Sequence, residues 1–516
     1  MFKSISLQKL LPIIAVAVLL TGYGLLLAHP INLVTADLGR HIKNGEMIWH
    51  DNFEVLKTNF YSYTYPDFPT TNHHWLSGLV FYGLWQLVGF KGIDIFFILT
   101  SLATLLIFFR IAVARSSSTI ATLITLPLIP ILLERNEVRP EIFSYLFAGI
   151  FFWLILKVKD NHILSKYLLI LPFLQIIWTN LHIYFFVGPV LIGAFLVEAL
   201  TKKSILTRKM SLVFLLSIIA TTLTPFGLKS TLAPLTIFKN FGYRLVENQP
   251  VWFIEKILPN LSFSIFKLFF IFFVLSFVVR YAKTKNLPIA ETILALGFSL
   301  AAWFAIRNFA IFGLFALPIM ANNIGLNIKP KNGFKITVAV LAFLIVFFLA
   351  ILSGELKKIF PYSEFSIGLE KGNLAAAEFI KKENIQGPIF NNYDIGGYLI
   401  YSLPTKERVY PELGRGVFVD NRPEAYPASF FQETLIPIQE DEKTWNEKNA
   451  IYKFNAIIFS YRDYTSWGQT FFAKILNDPE WKTVFVDDRV IILLKKNELN
   501  KEIIAKYGKS ISIKKQ

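Results

Sequence analysis

A chain of 516 residues that is 54% hydrophobic and 16% aromatic, with 51 Phe and a mean hydropathy of +0.49, is too apolar for an ordinary soluble domain and reads as a membrane protein. A formal charge of +16 would point to nucleic acid in a soluble chain; here most of the excess falls in short loops between apolar stretches, where it sets orientation and meets anionic lipid, so no nucleic-acid partner is expected. The absence of Cys removes disulfides and thiolate metal sites, and says little about redox compartment.

Lys3 and Lys9 precede the first apolar stretch, at about residues 10–28. It is longer than a signal-peptide core and further spans follow, so an uncleaved anchor is expected. Later spans are expected at about 93–109, 118–133, 142–156, 167–178, 183–197, 210–224, 261–279, 287–306, 309–326 and 333–352, about eleven in all. The stretch 75–90 is also apolar, but counting it would invert every later loop, so it is read as interfacial or re-entrant. With that count Arg110 and Arg115, then Lys157, Lys159 and Lys166, then Lys202, Lys203, Arg208 and Lys209, then Arg280, Lys283 and Lys285, and finally Lys329, Lys331 and Lys335 share one side. The positive-inside rule makes that side and Met1 cytoplasmic, and Gln516 external. The expected fold class is a polytopic α-helical membrane protein: a transmembrane domain at 1–353 with an external loop at 29–92, followed by an extracytoplasmic α/β domain at 354–516.

In the tail, residues 373–383 read as a helix with Asn373 at its cap. Residues 388–391, 456–460, 483–486 and 490–494 read as short buried strands, with helical stretches at 394–402, 429–436 and 468–476.

Chemistry gathers in the loops of the external face. Asp37 begins the first of them, close to the membrane; a carboxylate at that depth serves as a general base towards a hydroxyl or holds a cation where a lipid-linked substrate presents its headgroup. The alternative is that Asp37 caps a helix at 38–44 that Gly45 ends. Further on, His73 and His74 stand before Trp75; adjacent His residues lack the spacing of a helical metal pair, and interfacial anchoring by Trp75 is the plainer reading. The turn 134–141 carries five charges, among them Arg135, Glu137, Arg139 and Glu141. Arg135, Arg139, Lys267 and Arg307 run against the positive-inside bias. Such cations either bind phosphate or pair locally with Glu134, Glu137 and Glu141, and Lys267 alternatively snorkels. His182 closes another external edge, as a hydrogen-bond donor to substrate or a helix-end residue satisfied by backbone.

The ordered set Asp37-Leu38-Gly39-Arg40-His41, His74-Trp75-Leu76-Ser77, Arg139-Pro140-Glu141-Ile142-Phe143, Asn180-Leu181-His182 and Thr224-Pro225-Phe226-Gly227 continues in the tail with Asn392-Tyr393-Asp394-Ile395-Gly396-Gly397-Tyr398-Leu399 and Val419-Asp420-Asn421-Arg422-Pro423-Glu424-Ala425-Tyr426. The span plan, with an early Asp in a long external loop and an external tail domain, resembles the GT-C class of polyprenyl-phosphate-dependent glycosyltransferases, which includes protein O-mannosyltransferases and the lipid A aminoarabinose transferase, and the ordered motif set resembles prokaryotic membrane proteins related to these. The likeness is closest to uncharacterised prokaryotic members.

That resemblance implies a location in the prokaryotic cytoplasmic (inner) membrane and an inverting transfer of sugar from a polyprenyl-phosphate donor to a glycan, lipid or protein acceptor. Asp37 would be the base and Glu137 or Glu141 the second acid; Arg139, Lys267 and Arg307 would stabilise the departing phosphate. His73, His74 and His182 complete the candidate substrate-binding set. No dedicated metal site is visible, and because relatives in the wider class use a divalent cation, metal dependence stays open. Two rival readings also stand: a transporter or flippase for lipid-linked sugars, and a non-catalytic assembly or sensor protein.

Overall fold

The computed structural model describes residues 7–236, 241–325, 338–339, 341–343, 345–346, 365–403 and 416–509. The chain divides into two compact units built from interleaved segments. One comprises Met1–Pro30, Lys91–Ile237 and Leu245–Gly368; the other comprises Ile31–Phe90, Phe238–Arg244 and Leu369–Gln516.

The first unit is helical. Among the described residues of the chain, seven helices are long and apolar enough to cross a bilayer: Leu10–Leu27, Trp75–Arg115, Glu141–Asp160, His162–Leu181, Ile183–Thr201, Leu261–Thr284 and Ile306–Gly325. Ser118–Leu133 and Ile289–Phe304 are shorter apolar helices. The stretch expected at 210–224 forms the 14-residue helix Thr207–Ala220, and the span expected at 333–352 lies largely outside the described residues. The chain is a multi-pass membrane protein.

Helices that are apolar on every side must find partners by packing rather than by amphipathic segregation, and here aromatic rings supply the contacts. Phe266 stacks on Phe309 with ring centroids 4.4 Å apart, and Phe298 on Phe315 at the same distance. Much of the Phe enrichment is thus spent on interhelical packing.

The second unit contains a helix that buries its polar residues along with its apolar ones. Leu38–Trp49 buries ten of its twelve residues and packs against the helix Gly396–Ser402. The expected stop at Gly45 does not occur; the helix runs on to Trp49. Gly45 is there for contact, because a Cβ on it would stand 2.1 Å from the carbonyl oxygen of Gly78, at the start of the next long helix. Gly45→Ala is therefore expected to destabilise the protein at or above the upper end of the roughly 1–3 kcal/mol that overpacking costs. Thermal unfolding in detergent checks this, and a melting temperature equal to wild type would refute it.

The helix Trp75–Arg115 is interrupted at Gly89, whose φ of 64° and ψ of −168° only glycine adopts readily. The break falls next to the boundary between the units, so the apolar stretch before it belongs with the second unit and the stretch after it with the first.

The same unit holds a four-stranded mixed sheet. β1 (Ile389–Asn391) runs parallel to β2 (Ala456–Ser460), which pairs antiparallel with β4 (Val490–Lys495), and β4 pairs antiparallel with β3 (Trp481–Val486), giving the order β1-β2-β4-β3. β1, β2 and most of β4 are buried on both faces, which explains why they read in the sequence as unbroken apolar runs. The helix expected at 373–383 is Ala375–Lys382, and Asn373 does not cap it. The Asn373 side chain instead accepts the Leu33 backbone N–H at 3.2 Å, tying the tail to the first loop of this unit.

Candidate functional site

Asp37 occupies the N-cap position of Leu38–Trp49, but its side chain makes no capping hydrogen bond. Its carboxylate accepts a short hydrogen bond from the side-chain amide of Asn421 and lies 3.9 Å from the Arg40 guanidinium. Asn421 is shared, since its carbonyl oxygen accepts from Arg40 Nε at 3.1 Å. One amide thus fixes both the acid and its cation. Asn421 is held in turn by its chain neighbours: Asp420 is fully buried, takes Arg422 Nε and Nη2 at 2.8 and 2.7 Å, and Arg422 reaches Asn59 at 2.8 Å. A Cβ on Gly396 would meet the Asp420 Cα at 2.3 Å, so Gly396 lets the two tail motifs close on one another.

Beside this group lies Asp394. Its carboxyl is pushed above the usual carboxylate range, first by the enclosure of its oxygens and then by the charges of Asp463 and Asp37, although an exposed edge limits the effect. Asp463 is held by its neighbours, accepting from Asn392 Nδ2 at 3.0 Å and from Thr465 Oγ1 at 2.7 Å. Tyr243 stacks on Tyr393 with centroids 4.1 Å apart and touches Trp467 edge-on. The Asp37 carboxylate, with 24% of its side chain exposed, is thus oriented by Asn421, lies at long range from Arg40, and is bordered by a second carboxyl whose pKa is raised.

His73 and His74 belong to this unit too. His74 meets the buried His41 ring edge-on at 5.5 Å, and His73 meets His74 at 6.5 Å. Burial lowers the pKa of His73, so it is neutral at physiological pH. Among the described residues no group of three or more His, Asp and Glu is placed to hold a metal ion.

The first unit gathers the charges of the tight turn. Arg135 forks onto Glu141 and reaches Glu247 at 2.6 Å. Arg139 holds Glu137 at 2.7 Å and Glu247 at 3.3 Å. Arg307 lies 3.6 Å from both Glu141 and Glu247, donates to Asn248 at 3.0 Å and sits 5.4 Å over the Tyr184 ring. Glu247 is the hub: burial would raise its pKa, but Arg135, Arg307 and Arg139 outweigh that and hold it well below the usual range. Three arginines face three glutamates, so the cluster is neutral as a set. Arg135, Glu137, Arg139 and Glu141 line a cavity of about 30 Å³, room for about one water.

His182 is joined to this unit's core rather than placed among the acids. Trp178 Nε1 donates to Ser144 Oγ at 2.8 Å, Ser144 meets His182 Nδ1 at 2.8 Å, and the same nitrogen accepts the Tyr184 N–H at 3.3 Å. Lys267 stands apart from the arginines, its ammonium 2.5 Å from Glu255. The sequence singles out Asp37, Glu137, Glu141, Arg139 and Arg307 as candidates and assigns no role to Asn421, Asp394 or Glu247. For Asn421 and Asp394 the one available signal was their place inside the two tail motifs.

The bundle of apolar helices with a mixed α/β tail has the fold of an archaeal oligosaccharyltransferase. The archaeal oligosaccharyltransferase AglB from Archaeoglobus fulgidus, in complex with an inhibitory peptide and a dolichol-phosphate, superposes with a TM-score of 0.57 over 94% of this chain and 74% of its own, at 12% identity. The Archaeoglobus fulgidus oligosaccharyltransferase tethered to an acceptor peptide containing the NVT sequon gives 0.58 over 95% and 74%, also at 12%. Its apo form gives 0.54 over 89% and 70%, again at 12%. At this identity the likeness is one of fold. No family model and no curated protein matches the chain.

Proposed function

We propose that this chain transfers a sugar from a polyprenyl-phosphate donor to an acceptor hydroxyl on a glycan, lipid or protein at the external face of a prokaryotic cytoplasmic membrane. The observation that carries this reading is the GT-C fold over nearly the whole chain, shared with an oligosaccharyltransferase whose structure includes a dolichol-phosphate. In the proposed reaction the acceptor oxygen attacks the anomeric carbon as Asp37 takes its proton. The bond from that carbon to the phosphate oxygen breaks with inversion, and the polyprenyl phosphate leaves as the anion.

Asp37 suits the role of base because its carboxylate is not spent on the helix cap and its orientation is set by Asn421. Arg139 and Arg307 are the proposed partners of the leaving phosphate. Since the arginine cluster is neutral, phosphate must take the place of a carboxylate there, and Arg139, 21% exposed and paired with Glu137, is where the exchange costs least. Glu137 and Glu141 are both committed to arginines, and Asp394, whose pKa the charge of Asp37 helps to raise, is a further candidate for the second acid. The test is release and transfer of sugar from polyprenyl-phosphate donors by the purified full-length protein. Movement of intact donor across a vesicle bilayer without release would instead support a flippase.

The orientation belongs to the same reading, and it is checked independently. In right-side-out vesicles an impermeant thiol reagent is expected to label Ser466→Cys and spare Ser204→Cys in this chain without native cysteine. The opposite pattern would invert the topology and exclude external chemistry at Asp37.

A further inference from the structure

A second cavity lies among the basic loops, within the first unit. It measures about 360 Å³ and opens where the helices Glu141–Asp160 and Val187–Thr201 end and Thr207–Ala220 begins. That volume is within the range of small-molecule sites. Its wall is apolar, with Ile155, Phe195, Ala199 and Met210, and its rim is polar, with Lys159, His162, Lys202 and Ser204.

The rim is built around one buried acid. Glu198 is 4% exposed, and its Oε1 takes both ammonium groups, Lys159 at 2.9 Å and Lys202 at 2.8 Å, while its Oε2 accepts the Ala290 N–H at 3.0 Å. Glu198 therefore acts as a spacer that holds two lysines side by side. Two positive charges against one negative leave a surplus of +1 at the mouth. Each ammonium has three N–H donors and gives one to Glu198, so both keep donors for a further acceptor. Ile205, which also lines the cavity, and Leu200 expose 82% and 54% of their surface, continuing the apolar wall outward as a lipid-facing surface does. Lys157 lies near the end of the helix Glu141–Asp160, Lys203 in the turn after Val187–Thr201, and Arg208 and Lys209 in the first turn of Thr207–Ala220, which adds basic charge nearby in sequence.

We propose that this cavity binds one anionic phospholipid, with its phosphodiester across Lys159 and Lys202 and the start of an acyl chain along Phe195 and Met210. A phosphodiester carries one negative charge, which closes the balance left by Glu198. A free phosphate would meet the same lysines but leave the apolar wall uncovered, and a zwitterionic lipid would bring a second cation to a rim that is already positive. The inference is independent of the glycosyl-transfer reading, because its readout is lipid retention.

The experiment measures lipid bound to purified full-length protein by native mass spectrometry, titrating micelles with phosphatidylglycerol or with phosphatidylcholine of the same chains. Phosphatidylglycerol is expected to bind about tenfold more tightly. Ala199→Leu, which fills the cavity without touching charge, and the triple variant Lys159→Gln, Lys202→Gln, Glu198→Gln, which removes the surplus without stranding an acid, are each expected to lower its retention about tenfold. Should the triple variant fail to fold, Lys202→Gln replaces it, since Lys202 is half exposed and Glu198 keeps Lys159 as partner. Equal retention of the two lipids, unchanged retention in Ala199→Leu, or full displacement of phosphatidylglycerol by millimolar inorganic phosphate would each overturn the proposal, the last by reducing it to a headgroup-only anion site.

Discussion

Asp37→Asn is expected to lower sugar transfer by roughly 10²- to 10⁴-fold, the contribution of a general base, while the melting temperature stays within a few degrees of wild type. The structure sharpens the separation between chemistry and folding. Asp37 stands at the N-cap without making the cap bond, so its carboxylate contributes little there. One firm contact is the amide of Asn421, and an Asn side chain at position 37 still offers a carbonyl oxygen to that donor. The pair with Arg40 is long, at 3.9 Å, and partly solvated, so its loss costs about 1 kcal/mol at most. What the variant removes is a proton acceptor. Turnover within a few-fold of wild type in the folded Asn variant would reject Asp37 as the base and leave it a structural link between the first loop and the tail.

How much of this could be read from the sequence divides by the range of the interaction. Strands β1, β2 and β4 were legible because each is a short, almost wholly buried apolar run bounded by turn residues: the stretch read at 456–460 is β2 itself, and that at 490–494 lacks only Lys495. Helix ends were less so. A glycine that stops a helix and one that lets two backbones touch look the same in a sequence, which is why Gly45 was expected to end a helix that continues for four more residues. Likewise the stretch before Gly89 is as apolar as the helix after it; only the backbone torsion separates them.

At the site, residue types were legible and partners were not. An Asp soon after an apolar stretch, and arginines in loops where the expected topology puts few cations, are local signals. The amide that fixes Asp37 lies 384 positions away, and the acid that gathers Arg135 and Arg139 lies 112 and 108 positions away. No pattern of spacing announces such pairs. The same holds for the neutrality of the arginine cluster. Counted along the chain, Arg135, Arg139 and Arg307 are three cations that the positive-inside rule does not expect where the span plan puts them; in the fold each is matched by Glu137, Glu141 or Glu247, and in the proposed reading the electrostatic question becomes which carboxylate yields to phosphate.

Arg139→Lys and Arg307→Lys answer that question, and both are expected to impair donor use by about 10²-fold, the usual effect of removing one fixed donor from a developing anion. A guanidinium holds a phosphate through two parallel N–H bonds, and an ammonium, although it keeps the charge, cannot reproduce that fork. The two positions should differ in kind. Arg139 is 21% exposed and shares its contacts with Glu137 and Glu247, so Lys there leaves folding nearly intact and raises the donor concentration needed for half-maximal rate. Arg307 is more enclosed, bonded to Asn248 and laid over Tyr184, so Lys at that position also lowers the melting temperature. Lys267→Arg serves as the comparison, because Lys267 is paired with Glu255 away from the cluster and should tolerate the exchange. The measurement is initial rate against donor concentration for the three variants, with thermal unfolding recorded on the same preparations. If Arg139→Lys matches wild type in both apparent donor affinity and turnover, the arginines serve only to neutralise Glu137, Glu141 and Glu247, and the leaving phosphate is met elsewhere; a loss confined to Lys267→Arg would move the phosphate site to that helix.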